Sequence, residues 1–576
     1  MHHLNSIQNS EPQATNVSSF AEQAWIARCD PPLRTHTVGE LAGLRFAVKD
    51  NIDVSSMPTT AGCPDFAFMP IQHAQVVQKL LAAGATLVGK TNLDQFACGL
   101  NGTRSPYGAV PNAFNPKYVS GGSSAGSAYV VATGQVDFAL GTDTAGSGRV
   151  PAGLNNIVGF KPSKGLVSTR GVLPAAQSVD CVSVFAGTVD LAARVLRVLA
   201  GYDALDAYSR RLDLNAQPWD ASFKFGLPTR LNFFGDALAQ AAFETSVAQL
   251  KTLGGMPVPI DYTPLAAAAD LLYNSALVAE RYAAIQPFFD AHEASVIEPV
   301  RSIIAKGRNY KAADLCAAQT QLRSYGQQAD AMWAGIDLLL VPTAPTHYTI
   351  EQMQADPVAL NRNLGEYTNF VNLLDYAAIA VPSSLRADGL PFGVTLIGPC
   401  GSDWQLAELG QRLHQKTGLK QGFTDADVPL AHVFIAQAAI KTKADAAPTM
   451  SIAVVGAHLS GMPLNGQLTE RGATLAQTTT TAARYRLYAL PNTTPSKPGL
   501  KRVVTDGAPI ALEVWDMPTA EVGSFLALIP APLGLGKVEL ANGDWVTGFV
   551  CEGFALDAAQ DVTSHAGWRA YMQSLK

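Results

Sequence analysis

Apolar positions in this chain come in short runs separated by glycine-rich polar loops. Residues 44–48, Leu-Arg-Phe-Ala-Val, form a strand-like run that ends at Lys49. Over residues 74–83 the period changes, and Val76, Val77, Leu80 and Leu81 fall on one side of a helix. A strand is predicted at 85–88, a helix at 127–133 and a strand at 136–140. Helical patterns dominate between Pro228 and Gly335, and apolar strand runs return at 338–341, 378–381 and 394–397. This alternation predicts an α/β domain in which helices cover a mixed, largely parallel sheet.

The pattern breaks over residues 436–450, an Ala/Lys/Asp-rich stretch without aromatics, with Pro448 near its end. It reads as a linker. Short strand patterns follow at 452–455, 484–490, 510–514 and 545–550, with Asn542-Gly543 as a hairpin turn and a closing helix at 566–575. The predicted organisation is one domain over 1–435, a linker over 436–450, and a smaller α+β domain over 451–576.

Composition narrows the function classes. A chain of 576 residues is too long for one ordinary core. Apolar content of 48% with 15% charged residues is globular rather than disordered. A net charge of −6 gives no basic field for nucleic acid or an anionic membrane. The seven cysteines, at 29, 63, 98, 181, 316, 400 and 551, make no C-x-x-C pair, which fits free thiols in a reducing cytoplasm. No apolar run is long enough to span a membrane, and residues 1–17 lack a signal-peptide pattern. No metal-ligand cluster is visible, and no cofactor is expected.

The chemistry concentrates in two Gly/Ser loops. Residues 121–127 read Gly-Gly-Ser-Ser-Ala-Gly-Ser, and residues 141–149 read Gly-Thr-Asp-Thr-Ala-Gly-Ser-Gly-Arg. A serine hydroxyl attacks only when a neighbouring group takes its proton. Lys49 with Ser123 and Ser147 can build a hydrolytic site without histidine, provided burial and a shortage of nearby carboxylates keep the lysine neutral.

In these motifs the chain resembles the amidase signature family, over roughly residues 41–432. Ala145 stands where that pattern often has glycine. The resemblance implies Ser147 as nucleophile, Ser123, preceded by a cis peptide, as bridge, and Lys49 as terminal base. Small residues in the second loop make the N–H groups of Thr144, Ala145, Gly146 and Ser147 the natural oxyanion donors, each worth on the order of 3 kcal/mol in rate. Ser124, Ser127 and Arg149 read as structural, and Asp143 as an organiser of its loop.

Two other patterns compete. Residues 84–91 match a Walker A loop letter for letter, but a helix precedes them and their centre is strand-like, so Lys90 reads as structural. Residues 122–126 fit G-x-S-x-G, yet no strand leads into them and no histidine has a claim as partner.

Substrate signals lie further on. Tyr273 and Arg281 are eight apart in a predicted helix, two turns, so both can face one side. This resembles the allophanate hydrolases, in which such a pair holds the substrate carboxylate; the alternatives are pairing with Glu280 or solvent exposure. Gly99 is expected to line the pocket through its backbone. Residues 454–465 and 470–473 resemble the C-terminal domain of the same family, with a γ-glutamylcyclotransferase-like fold. There the resemblance ties the domain to decarboxylation of N-carboxycarbamate. His458 is the candidate for that step and Glu513 a second; the alternative is a role in assembly.

The implied function is hydrolysis of allophanate, a small-molecule substrate, in urea or cyanurate catabolism, by a cytoplasmic homodimer able to assemble with other nitrogen-catabolism enzymes. No biotin or ATP site is visible for carboxylating urea. Another small acidic or ureido amide, such as malonamate or biuret, is the enzymatic alternative. A glutaminase subunit of a tRNA amidotransferase, a nucleotide-binding protein and an assembly scaffold are further ones.

Overall fold

The computed structural model describes residues 20–215, 217–430 and 449–575. The chain divides into two compact units, Met1–Ala444 and Asp445–Lys576. The expected linker lies outside the described residues as far as 448; its last two residues already belong to a strand, Thr449–Val454.

The first unit is built on one eleven-stranded sheet. Its strands are β1 (Trp25–Leu33), β2 (Arg45–Lys49), β3 (Thr86–Thr91), β4 (Phe138–Asp143), β5 (Val158–Lys161), β6 (Cys181–Ala186), β7 (Phe223–Pro228), β8 (Gly255–Ile260), β9 (Leu338–Pro342), β10 (Ala377–Leu385) and β11 (Pro391–Gly398). They lie in the order β1-β3-β2-β4-β6-β5-β10-β11-β9-β7-β8.

The sheet is mixed, but the expectation that it is largely parallel does not hold. Only β2–β3, β2–β4, β7–β8 and β7–β9 are parallel; the other six pairings are antiparallel. For β10 and β11 the reason is local. Parallel neighbours need a crossover, whereas β10 returns as β11 through a tight turn at residues 386–390. The helix-alternating pattern held only near the ends.

Strands β4 and β6 are buried along their whole length, polar Thr142, Asp143 and Ser183 included, as strands covered on both faces are. Phe46 and Phe138 stack at 5.4 Å across β2 and β4. Helices Gln75–Ala82 and Val189–Leu199 cover one face; Thr188 caps the second by accepting the Leu191 amide. The helix Ala125–Ala132 is buried on every side, which its run of alanine, glycine and serine permits.

The second unit carries its own core around Ile452, Val454, Leu512, Val514, Phe549 and Trp568. Beyond β12 (Thr449–Val454) come β13 (Thr474–Thr480), β14 (Tyr485–Ala489), β15 (Pro498–Arg502), β16 (Ala511–Pro518), β17 (Leu533–Glu539), β18 (Trp545–Cys551) and β19 (Gln560–Asp561). Five of them form the sheet β13-β16-β12-β18-β17, and three form β15-β14-β19. The Asn542-Gly543 turn joins β17 to β18, with Gly543 at φ +90°, a conformation that favours glycine. Among the described residues no helix is long and apolar enough to cross a membrane.

Candidate active site

Lys49 closes β2, and its flanking strand β4 carries Thr142. The lysine is fully buried. Its Nζ donates to Ser123 Oγ and to Thr142 Oγ1, each at 2.7 Å. Burial drives Lys49 down to about 7 and Arg281 pushes the same way, against Asp94, Asp180 and Asp143. The expected scarcity of carboxylates is therefore corrected. Three of them surround the lysine, and desolvation outweighs them because none is hydrogen-bonded to it.

Ser123 precedes the helix Ala125–Ala132, and the Gly122–Ser123 peptide is cis. Ser124 Oγ donates to the Thr142 carbonyl at 3.2 Å and Ser127 Oγ to that of Leu140 at 3.0 Å. These two hydroxyls pin the first loop to β4, as their structural reading required.

The second loop is organised by Asp143 at the end of β4. Its carboxylate accepts the amides of Gly146 and Gly148, at 2.9 and 3.0 Å, and both Nε and Nη2 of Arg149 at 2.9 Å. Burial alone would raise this acid; the Arg149 fork, the charge of Lys161 and the Gly148 amide hold it below the ordinary carboxylate range. Arg149 Nη2 also reaches the Thr368 carbonyl and Asn372 Oδ1.

Ser147 is buried in this loop, and its Oγ donates to the Gly99 carbonyl at 3.4 Å. No hydrogen bond among the described residues joins Ser147 to Ser123. Gly99 thus meets the site through its backbone, and a Cβ there would lie 2.4 Å from Asp94 Oδ2. Among the expected oxyanion donors, the Gly146 amide is corrected: it is already spent on Asp143. Gly146 has φ +133°, and a Cβ would meet Thr368 Oγ1 at 2.4 Å, so glycine serves the turn. The amides of Thr144, Ala145 and Ser147 have no acceptor among the described residues and stay open.

Tyr273 and Arg281 come together, though not on one helix. The helix Thr263–Asn274 ends after Tyr273, Ser275 is extended, and Arg281 belongs to Ala279–His292. Ser275 breaks the run because its hydroxyl bonds the local backbone, accepting from Leu277 N and donating to the Leu271 carbonyl. Arg281 Nη2 donates to Tyr273 Oη at 3.2 Å, with the guanidinium carbon 5.1 Å from the ring centre. Arg281 is 4% exposed, and its Nε and Nη1 have no hydrogen-bond partner. Neither alternative holds: Glu280 is bound by the amide and hydroxyl of Ser178, and the arginine is not in solvent.

Thr142, Asp94 and Asp180 were missed. Asp94 accepts the amides of Asn101, Gly102 and Arg104 and so shapes the loop that presents Gly99. Only Thr142 had a signal, its position beside Asp143. Lys90 is structural: its Nζ lies 2.9 Å from Asp50 Oδ1 and bonds the Pro58 carbonyl and Thr59 Oγ1.

In the second unit His458 lines a cavity of about 230 Å³ with Val455, Gln467, Lys497 and Phe549. Its ring stacks on Phe549 at 5.0 Å, and Nε2 meets Gln467 Oε1 at 2.9 Å. Burial lowers its proton affinity, Lys497 adds to that, and the Gln467 contact opposes it. Glu513 accepts from the Ser460 amide and hydroxyl, Trp515 Nε1 and Arg569, a fully engaged structural carboxylate. No group of His, Cys, Asp and Glu among the described residues could hold a metal ion.

Residues 3–407 match the amidase family, and residues 450–573 match the allophanate hydrolase C-terminal domain. The urea amidolyase of Saccharomyces cerevisiae is 44% identical over 549 residues, covering 93% of this chain and 30% of the relative. The allophanate hydrolase structure of Kluyveromyces lactis superposes with a TM-score of 0.70 at 41% identity, covering 96% of this chain and 94% of that one. The urea amidolyase structure of the same yeast gives 0.70 at 40% identity, over 97% of this chain and 35% of that one. The chain thus spans about a third of the urea amidolyases it matches. It belongs to the amidase family, as an amidohydrolase whose second unit is an allophanate hydrolase C-terminal domain.

Proposed function

We propose that this chain hydrolyses allophanate with Ser147, Ser123 and Lys49. Ser147 Oγ attacks the ureido carbonyl, and its proton passes through Ser123 to neutral Lys49. The open amides of Thr144, Ala145 and Ser147 take up the oxyanion charge. The proton returns to the leaving nitrogen, ammonia departs, and water discharges the acyl group as N-carboxycarbamate. That product breaks down to carbon dioxide and a second ammonia, with His458 and its cavity assisting.

The observation that carries the substrate is Arg281. A buried guanidinium with two unpartnered nitrogens is costly unless a ligand satisfies them. Allophanate supplies a carboxylate that an open nitrogen of this guanidinium can bond, and the Nη2 contact to Tyr273 fixes the plane of the group. Malonamate and biuret are the competing amides; biuret has no carboxylate for Arg281.

The same reading keeps the domain boundary within the expected linker, shortened to 436–448 by strand β12, and assigns the chain to the cytoplasm, on its seven free cysteines. It also keeps a homodimer, assembly with other nitrogen-catabolism enzymes, and urea or cyanurate as the upstream source. Ammonia release from allophanate, malonamate, biuret and urea, without ATP, tests the substrate. Turnover confined to allophanate supports it; preference for another amide overturns it.

A further inference from the structure

The ladder between β4 and β6 brings a third acid to the site. In that antiparallel register Asp143 pairs with Cys181, so the next residues, Thr144 and Asp180, leave the sheet side by side. Thr144 Oγ1 donates to Asp180 Oδ1 at 2.5 Å. The same carboxylate accepts the amide of Ala175 at 2.8 Å and that of Ala176 at 3.2 and 3.3 Å. Asn372 Nδ2 ties the two strand ends together by donating to the carbonyls of Asp143 and Val179.

Asp180 is buried and makes no ion pair among the described residues, unlike Asp143. Such a carboxylate is expensive, and burial lifts it to about 6 even though Thr144, the two amides and the charge of Arg281 all favour the anion. Two of its hydrogen-bond partners are backbone amides, which can only donate, and the third is the Thr144 hydroxyl, which donates its proton to the charged carboxylate. An asparagine would turn its N–H₂ toward Thr144 Oγ1, which reverses that hydrogen bond and removes its charge.

We propose that Asp180 is a positioning residue for the oxyanion loop: by holding the Thr144 hydroxyl it aims the open amides of Thr144 and Ala145 at the carbonyl under attack. This rests on the reading of Ser147 as nucleophile. Asp143 fixes the far side of the loop through Gly146 and Gly148, and Asp180 fixes the near side.

The test is steady-state ammonia release from allophanate by the full chain, comparing wild type with Thr144→Ser, Thr144→Val, Asp180→Asn and Ser147→Ala. Thr144→Val replaces the hydroxyl by a methyl of similar size and should lower kcat roughly 10- to 100-fold with KM within about threefold, because a misaimed oxyanion donor acts in the transition state. Thr144→Ser should restore most of the rate, and Asp180→Asn should repeat the kcat loss. Wild-type kcat in Thr144→Val, a loss carried in KM, or a Thr144→Ser no better than Thr144→Val overturns the proposal, even if Asp180→Asn fails to fold. Turnover lost in Ser147→Ala but unaffected in Thr144→Val sinks the role of Asp180 alone. Turnover retained in Ser147→Ala sinks the nucleophile assignment, and this inference with it.

Discussion

Lys49 Nζ stands 2.7 Å from Ser123 Oγ in a site that leaves the lysine no solvent-exposed surface. A base in this position must be neutral, and burial brings Lys49 down to about 7. The sign follows directly. Below that value the lysine is protonated and inactive, and above it the free amine accepts the proton. kcat/KM should therefore rise as pH increases through about 7 and level off above it. A pH profile from 5 to 9 checks this, and a flat acid side contradicts it. Lys49→Ala should reduce kcat by ~10²- to 10⁴-fold, the range of general-base contributions.

Arg281 should discriminate by substrate charge. Its Nε and Nη1 are unpartnered, and removing one side of a buried charge pair costs about 2–5 kcal/mol. Arg281→Ala should raise KM for allophanate or malonamate by at least roughly 30-fold, as that range implies. Biuret, being neutral, should lose far less. Equal losses on charged and neutral amides would remove the assigned role.

Much of this site was legible in the sequence, for a physical reason. Ser123 and Ser147 sit in two loops dense in small residues and Lys49 ends a strand-like run, so the motif alone pointed to the pair of Lys49 and Ser123 that the structure joins at 2.7 Å. Thr142 had only its place beside Asp143 as a signal, Asp180 enters through the register of β4 with β6, and Asp94 through a loop after β3 whose folding no periodicity announces. The break at Ser275 was hidden for a similar reason: one hydroxyl bonding local backbone interrupts a run whose composition is otherwise helical. The fold class was readable from helix–strand alternation, whereas the antiparallel centre, apart from the β10–β11 hairpin, pairs strands far apart in the chain, which leaves no periodic signal.

Arg149 should matter for stability more than for chemistry. It forms a fully buried bidentate pair with Asp143 and anchors Thr368 and Asn372. Arg149→Met leaves the Asp143 charge uncompensated and should destabilise the first unit by about 3–5 kcal/mol. Denaturant unfolding measures it; a loss below about 1 kcal/mol, the worth of an exposed pair, would contradict the description.

His458 should separate the two chemical steps. His458→Asn removes the ring that lines the second unit's cavity and leaves the first unit untouched. Release of the first ammonia should keep its rate, while the N-carboxycarbamate signal in a carbon-13 spectrum should persist longer than with wild type. Identical decay would leave His458 a packing residue on Phe549 and Phe525.

The most direct test of the account is ammonia release from allophanate by Ser147→Ala beside the wild-type chain, with thermal unfolding measured on both. The account predicts background release from a variant whose Tm is unchanged, since Ser147 Oγ makes one long contact, 3.4 Å, to the Gly99 carbonyl. Turnover retained by the folded variant would contradict the Ser147, Ser123 and Lys49 mechanism.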